Sequence, residues 1–215
     1  MIRQRISRNC TRSGSMAFRL AIAIAATLVF CSAVLGASDR PRAGAGVLFL
    51  RPAFAGQADE MKSIVLYVTP GIERIAMVDA ARLPSLAPSV FPPAGVYAVA
   101  VTGKRGGWFR VAYDAAGRQG WLEGRRSWDY FSWPDFLPGR FAALLSDLRA
   151  TLTQLRAEPS DDSPSLGRIL PEQRFRILEV SHDWARVGNE GGLSGWLRWR
   201  DRDGKLLLAV EGGVE

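Results

Sequence analysis

The sequence predicts an all-β fold of two small β-barrels in tandem, with a short helix in the connector and an apolar helix at the N-terminus. Three observations predict it. One tryptophan pattern occurs twice: Trp108-Phe109-Arg110-Val111 with Gly120-Trp121-Leu122, and Trp184-Ala185-Arg186-Val187 with Gly195-Trp196-Leu197. Around both copies, short apolar or alternating runs are broken by Gly, Pro and Asp, as in short strands joined by tight turns. Finally, the charge excess is confined to one end. Of 28 Lys+Arg and 21 Asp+Glu, residues 1–55 hold eight arginines and one acid, Asp39, which leaves 20 of each sign in residues 56–215.

The N-terminal segment comes first. Arg19 is followed by LAIAIAATLVFCSAVLGA, residues 20–37, without a charge. Basic residues, an apolar run and a small-residue exit, in that order, make a secretory signal. Two exits are open. One follows Val34-Leu35-Gly36; the other follows Ala53-Phe54-Ala55, which fits the A-x-A rule and lies behind the apolar run Val47-Leu48-Phe49-Leu50. Without cleavage, residues 20–37 approach the length that spans a bilayer, and the arginines would keep the N-terminus cytoplasmic. The segment is then an inner-membrane anchor. In each case the body is expected to be exported, either periplasmic or anchored facing the periplasm. Cys31 follows Phe30, where a lipoprotein signal needs a small residue. Cys10 and Cys31 are the only cysteines, which excludes a disulfide framework, a cysteine metal site and a cysteine nucleophile from the body. Residues 1–55 are therefore assigned to a signal peptide or membrane anchor.

The two copies follow. The tryptophans are 13 residues apart in copy one and 12 in copy two; Pro84-Ser85 precedes Trp108 by 24 residues and Pro159-Ser160 precedes Trp184 by 25. Strand-like runs lie between, Gly95–Val101 in one and Arg174–Val180 in the other. Tyr113–Arg118 and Gly188–Gly192 read as hairpin turns between the paired motifs. This makes an internal repeat of about 50–60 residues. Copy one is placed at 60–124 and copy two at 152–210. With so small a core, tryptophan supplies much of it. Trp108, Trp184 and Trp196 are assigned to the core.

The connector, 125–151, packs Trp128, Tyr130, Phe131, Trp133 and Phe136 into nine positions, unlike a flexible polar linker. It either wedges against the barrels or forms an exposed aromatic platform. Phe141, Leu144, Leu145 and Leu148 have helical spacing, which predicts a short helix here.

Copy two, in order, carries Leu155-Arg156-Ala157-Glu158-Pro159-Ser160, Ser165–Leu170, Phe175-Arg176-Ile177-Leu178-Glu179, Asp183–Val187 and Gly195-Trp196-Leu197. This succession resembles the bacterial SH3-like (SH3b) domain. Copy one resembles it from Val96 onward and lacks a clear Leu-x-x-Arg. The resemblance implies a non-enzymatic binding or scaffolding role in the cell envelope, with peptidoglycan or its peptides, or a peptide or protein partner, as ligand. A shallow groove would stack aromatics on an extended peptide; Tyr113, Trp121, Trp128 and Trp199 are the candidate ligand-binding residues. The alternative is a structural or assembly partner in a periplasmic complex, acting through the connector aromatics.

Other chemistry is set aside. His182 is the only histidine and has no cysteine beside it, so no metal site is expected. No G-x-S-x-G elbow supports a catalytic triad, and no room remains for a hydrolase domain. No catalytic residue and no cofactor is expected. Thr102–Gly107 lacks P-loop spacing and reads as a turn. Asp161-Asp162 reads as a turn former. Arg198, Arg200 and Arg202 alternate with Trp196 and Trp199 but are interrupted by Asp201 and Asp203. They read as charges on a strand edge, and no nucleic-acid partner is expected.

Overall fold

The structure is a computed structural model that describes residues 40–54, 58–171, 173–188 and 191–211. The apolar segment 20–37, Cys10, Cys31, the Ala55 exit and the Asn189-Glu190 turn lie outside the described residues. No helix among the described residues is long and apolar enough to cross a membrane.

The chain from Arg40 forms one compact unit built mostly of strands. They are β1 (Gly46–Leu50), β2 (Ile64–Tyr67), β3 (Arg74–Val78), β4 (Val90–Phe91), β5 (Tyr97–Arg105), β6 (Trp108–Ala112), β7 (Gln119–Glu123) and β8 (Asp129–Ser132). After the single-turn helix α1 (Trp133–Phe136) come β9 (Phe141–Leu144), β10 (Gln154–Arg156), β11 (Ser165–Arg168), β12 (Phe175–Ser181), β13 (Trp184–Gly188), β14 (Ser194–Arg198) and β15 (Leu208–Glu211). Two sheets result, ordered β3-β2-β7-β6-β5-β1-β8 and β11-β10-β14-β13-β12-β9-β15-β4. Apart from the added β4, the two orders are identical strand for strand.

The duplication extends to irregularities. The β5–β6 register slips between Val101 and Gly103, and the β12–β13 register slips between Ile177 and Glu179. The β2–β3 and β10–β11 registers slip at Leu66/Tyr67 and Leu155/Arg156. Such bulges bend a strand and increase its twist, so both sheets bend at matching points.

This duplication is larger than the motifs suggest, and it corrects three expectations. The first is the boundary at 55. All five residues of β1 are buried, and β1 pairs with β5 on one side and β8 on the other. Leu48 and Leu50 enter the core of copy one, whereas Val47 and Phe49 enter a second core shared with copy two. A strand buried on both faces reads as an unbroken apolar run, so Val47–Leu50 resembled an export signal. Arginines counted with the signal also belong to the fold. Arg40 pairs with Asp201 at 2.9 Å, Arg51 pairs with Asp129, and the Arg42 backbone forms an isolated antiparallel β-bridge with Lys205. From Arg40 onward the chain carries 23 basic and 20 acidic residues, because only Arg3, Arg5, Arg8, Arg12, Arg19 and Asp39 precede it.

The second correction concerns the predicted helix after Phe141. That segment is β9, which pairs with β12 and β15 as β1 pairs with β5 and β8. Sheet pairing overrode the helical spacing; Ala142 and Leu144 face the core and Phe141 is exposed. The helix in the connector is α1, begun by Pro134 in its first turn. The connector is not a separate layer: β8 completes the first sheet and β9 begins the second.

The third correction concerns the front of copy one. Tyr67 pairs with Trp121 as Arg156 pairs with Trp196. Leu66-Tyr67-x-x-Pro70 is therefore the counterpart of Leu155-Arg156-x-x-Pro159. Pro84-Ser85 belongs to an insertion between β3 and β5. The insertion carries β4, which adds a parallel edge strand beside β15 and sends Leu86 and Val90 into the shared core.

The Gly-Trp signature has a steric cause. A Cβ at Gly195 would lie 2.7 Å from Leu155 Cγ and 2.8 Å from the Arg156 carbonyl oxygen; at Gly120 it would meet Leu66 and Ile75 at 3.3–3.4 Å. Each glycine lets the conserved-in-both-copies leucine of β2 or β10 close over it.

Candidate functional site

Along β6, Trp108, Arg110 and Ala112 share the outer face, while Phe109 and Val111 are buried. Trp121 and Glu123 of β7 and Tyr67 of β2 share that face, because Trp108 opposes Glu123, Arg110 opposes Trp121 and Tyr67 opposes Trp121. The Tyr67 ring meets Trp108 edge-on at 5.2 Å, and the Arg110 guanidinium lies 5.7 Å from the Trp121 ring. Trp108 and Trp121 are half-buried and Glu123 is exposed. A small pocket adjoins the cluster, lined by Val65, Tyr67, Glu123, Arg125 and Trp128. The β2–β3 hairpin beside it exposes Val68, Ile72 and Met77; Ile72 is 80% exposed.

The candidate ligand-binding residues disperse. Trp121 lies on this face. Trp128 is 7% exposed and packs in the core of copy one; it also lines the pocket, with the Arg125 guanidinium 5.1 Å from its ring. Trp199 is 2% exposed, donates from Nε1 to the His182 carbonyl oxygen at 2.8 Å, and packs at a tilt against Trp133, 5.4 Å between ring centroids. Burial removes both from any stacking groove. Tyr113 packs partly against the core of copy one, under the Arg118 guanidinium at 5.4 Å. Of the three tryptophans assigned to the core, Trp184 is buried, but Trp108 and Trp196 are only half-buried. Their alternation puts them opposite Val111 and Leu197, on the outer faces of their strands.

The connector aromatics form no exposed platform. Trp133 and Phe136 are 2% and 1% exposed, and Trp133 Nε1 donates to the Ala43 carbonyl oxygen at 2.8 Å. Tyr130 packs on one core and Phe131 on the other.

In copy two the same face is closed. Arg198 lies directly opposite Trp184, its guanidinium 4.5 Å from the ring. Asp161 accepts from Arg198 at 2.9 and 2.7 Å and from Arg202 at 2.9 Å; Asp183 accepts from Arg200 at 2.6 Å and lies 3.6 Å from Arg198. The hydrogen bonds from Arg198 hold the Asp161 carboxyl far below the ordinary carboxylate range; burial opposes them, and the hydrogen bond from Arg202 adds to the lowering. Asp161 is thus an anchor and not only a turn former. Arg198 does not line a strand edge, since β14 lies between β10 and β13, and Arg200 and Arg202 follow the strand. His182 is exposed in the β12–β13 turn, with φ 52°. Among the described residues no group of three or more His, Cys, Asp or Glu side chains gathers as a metal set would.

Sequence reasoning missed Tyr67 and Glu123. The matching Leu-x-x-x-Pro spacing in β2 and β10 carries the signal for Tyr67. Glu123 is visible only as the counterpart of Arg198 once the strands are paired. No curated protein matches the chain. Residues 151–201, which contain β10 to β14, match the bacterial SH3 domain family, and copy one repeats the strand order of that segment.

Proposed function

We propose that the chain is an exported, non-enzymatic binding protein of the cell envelope, and that it holds an extended peptide, including the peptide portion of peptidoglycan, on the outer face of copy one. The observation that carries this reading is the difference between the copies: Trp184 is covered by the Arg198 guanidinium, and among the described residues no guanidinium covers Trp108. The match of residues 151–201 to the bacterial SH3 domain supports a binding role, as aromatic-lined grooves suit extended peptides. Copy two then serves as scaffold through the shared core. Export rests on the N-terminal pattern; cleavage after Ala55 would remove β1, which leaves cleavage after Gly36 or retention of residues 20–37 as an anchor.

Isolated sacculi incubated with the full chain test the reading. Retention of the chain on sacculi, reduced at least tenfold by Trp108→Ala or Trp121→Ala, is the expected result. Equal retention of both variants would refute the assignment to this face.

A further inference from the structure

The two copies display one site in opposite states. In copy two, a guanidinium rests on Trp184 and two carboxylates hold it there, leaving the Arg198 side chain 13% exposed. In copy one the position of Arg198 is taken by Glu123, directly opposite Trp108, and Gly107 stands where copy two has Asp183. Among the described residues no cation rests on the Trp108 ring, and a carboxylate stands at the register position that the arginine holds in copy two. The Glu123 side chain makes no hydrogen bond or ion pair among the described residues.

We propose that copy one takes from a partner what copy two supplies to itself: the ammonium or guanidinium of a basic peptide side chain, seated on Trp108 with Glu123 as counter-charge. Cations are drawn to the face of an indole, and the attraction grows as water is excluded; Tyr67, packed edge-on against Trp108, walls one side.

The neighbouring arginines set a limit on the ligand. Arg110 is stacked on Trp121, and Arg125 is stacked on Trp128 and faces Glu60 at 3.9 Å. Arg105 opposes Trp108 from β5 but makes no ring contact among the described residues. These arginines make the surroundings basic and oppose a run of basic residues more strongly than one, so the single counter-charge of Glu123 suits one basic residue within an otherwise neutral or acidic peptide.

The inference rests on the peptide-binding reading above, and its test separates the two. The probes are the blocked pentapeptide Gly-Gly-Lys-Gly-Gly and the same peptide with norleucine in place of lysine. Each is titrated into the full chain while the Trp108 indole N–H signal is followed by NMR. The lysine peptide is expected to move that signal and to bind at least tenfold more tightly than the norleucine peptide. Glu123→Arg, which copies the arrangement of copy two, is expected to abolish the shift without lowering the melting temperature. Equal binding of the two peptides, or unchanged binding by Glu123→Arg, overturns the cation seat. If Trp108→Ala or Trp121→Ala still loses sacculi in that event, the face binds peptide by another contact and only this inference falls. If both variants retain them, both readings fall.

Discussion

Phe49 and Phe54 stand five residues apart in a stretch whose sequence resembles the end of an export signal, and they separate a structural strand from a removable leader. Phe49 is fully buried between Phe131, at 6.2 Å, and Phe136, at 5.7 Å, whereas Phe54 is 71% exposed. Truncating a buried phenylalanine to alanine costs about 3–5 kcal/mol, a large share of a typical total of about 5–15 kcal/mol. At about 2–4 °C per kcal/mol for a chain of this size, Phe49→Ala should lower the melting temperature by roughly 6–20 °C. Phe54→Ala, at the surface, should stay within about 0.5 kcal/mol of the parent. Thermal denaturation followed by circular dichroism measures both, and a chain beginning at Gly56 is expected to show no cooperative transition. A Phe49→Ala variant that melts with the parent, or cooperative melting of the chain from Gly56, would refute the placement of β1 in both cores.

Three further outcomes are expected. Gly195→Ala should cost about 1–3 kcal/mol, since its Cβ would press on Leu155 and the Arg156 carbonyl oxygen; Gly120→Ala should cost clearly less, and reversal of that order in denaturant titrations would contradict the packing. His182→Gly should stabilise the chain by about 0.5–1 kcal/mol, because His182 holds φ 52° where the equivalent turn residue of copy one is Gly106 with φ 57°; a lower melting point would count against it. The Asp161 carboxyl has a folded pKa below its unfolded one, so its contribution is present above about pH 4 and is lost as pH falls through the acidic range. The gap in melting temperature between the parent and Asp161→Asn should therefore narrow from pH 6 toward pH 2, and a gap that widens on acidification would show that the Arg198 bond is not its source.

Much of the β architecture was legible because it is written in local chemistry. The Gly-Trp motifs mark two strands that must approach a leucine closely, and turns such as Tyr113–Arg118 need the left-handed glycine that Gly117 supplies. The site was less legible. Alternation alone does not say which face of a strand becomes the core, so Trp108 and Trp196 were assigned inward. Nor did aromatic density in the connector reveal that Trp128, Trp133 and Phe136 are buried against strands distant in sequence.

The amino-acid sequence by itself determined that the body is all-β, that it is duplicated, and that cysteine chemistry is absent from it. These follow from composition, turn residues and short-range periodicity. The tertiary structure decided where the body begins, that Phe141–Leu144 is a strand, and which copy covers its tryptophan with an arginine. Each depends on partners far along the chain: β1 needs β5 and β8, β9 needs β12 and β15, and Trp184 is closed by Arg198, which Asp161 holds from 37 residues away. Burial and charge pairing are properties of neighbours in space, and only the folded chain chooses them.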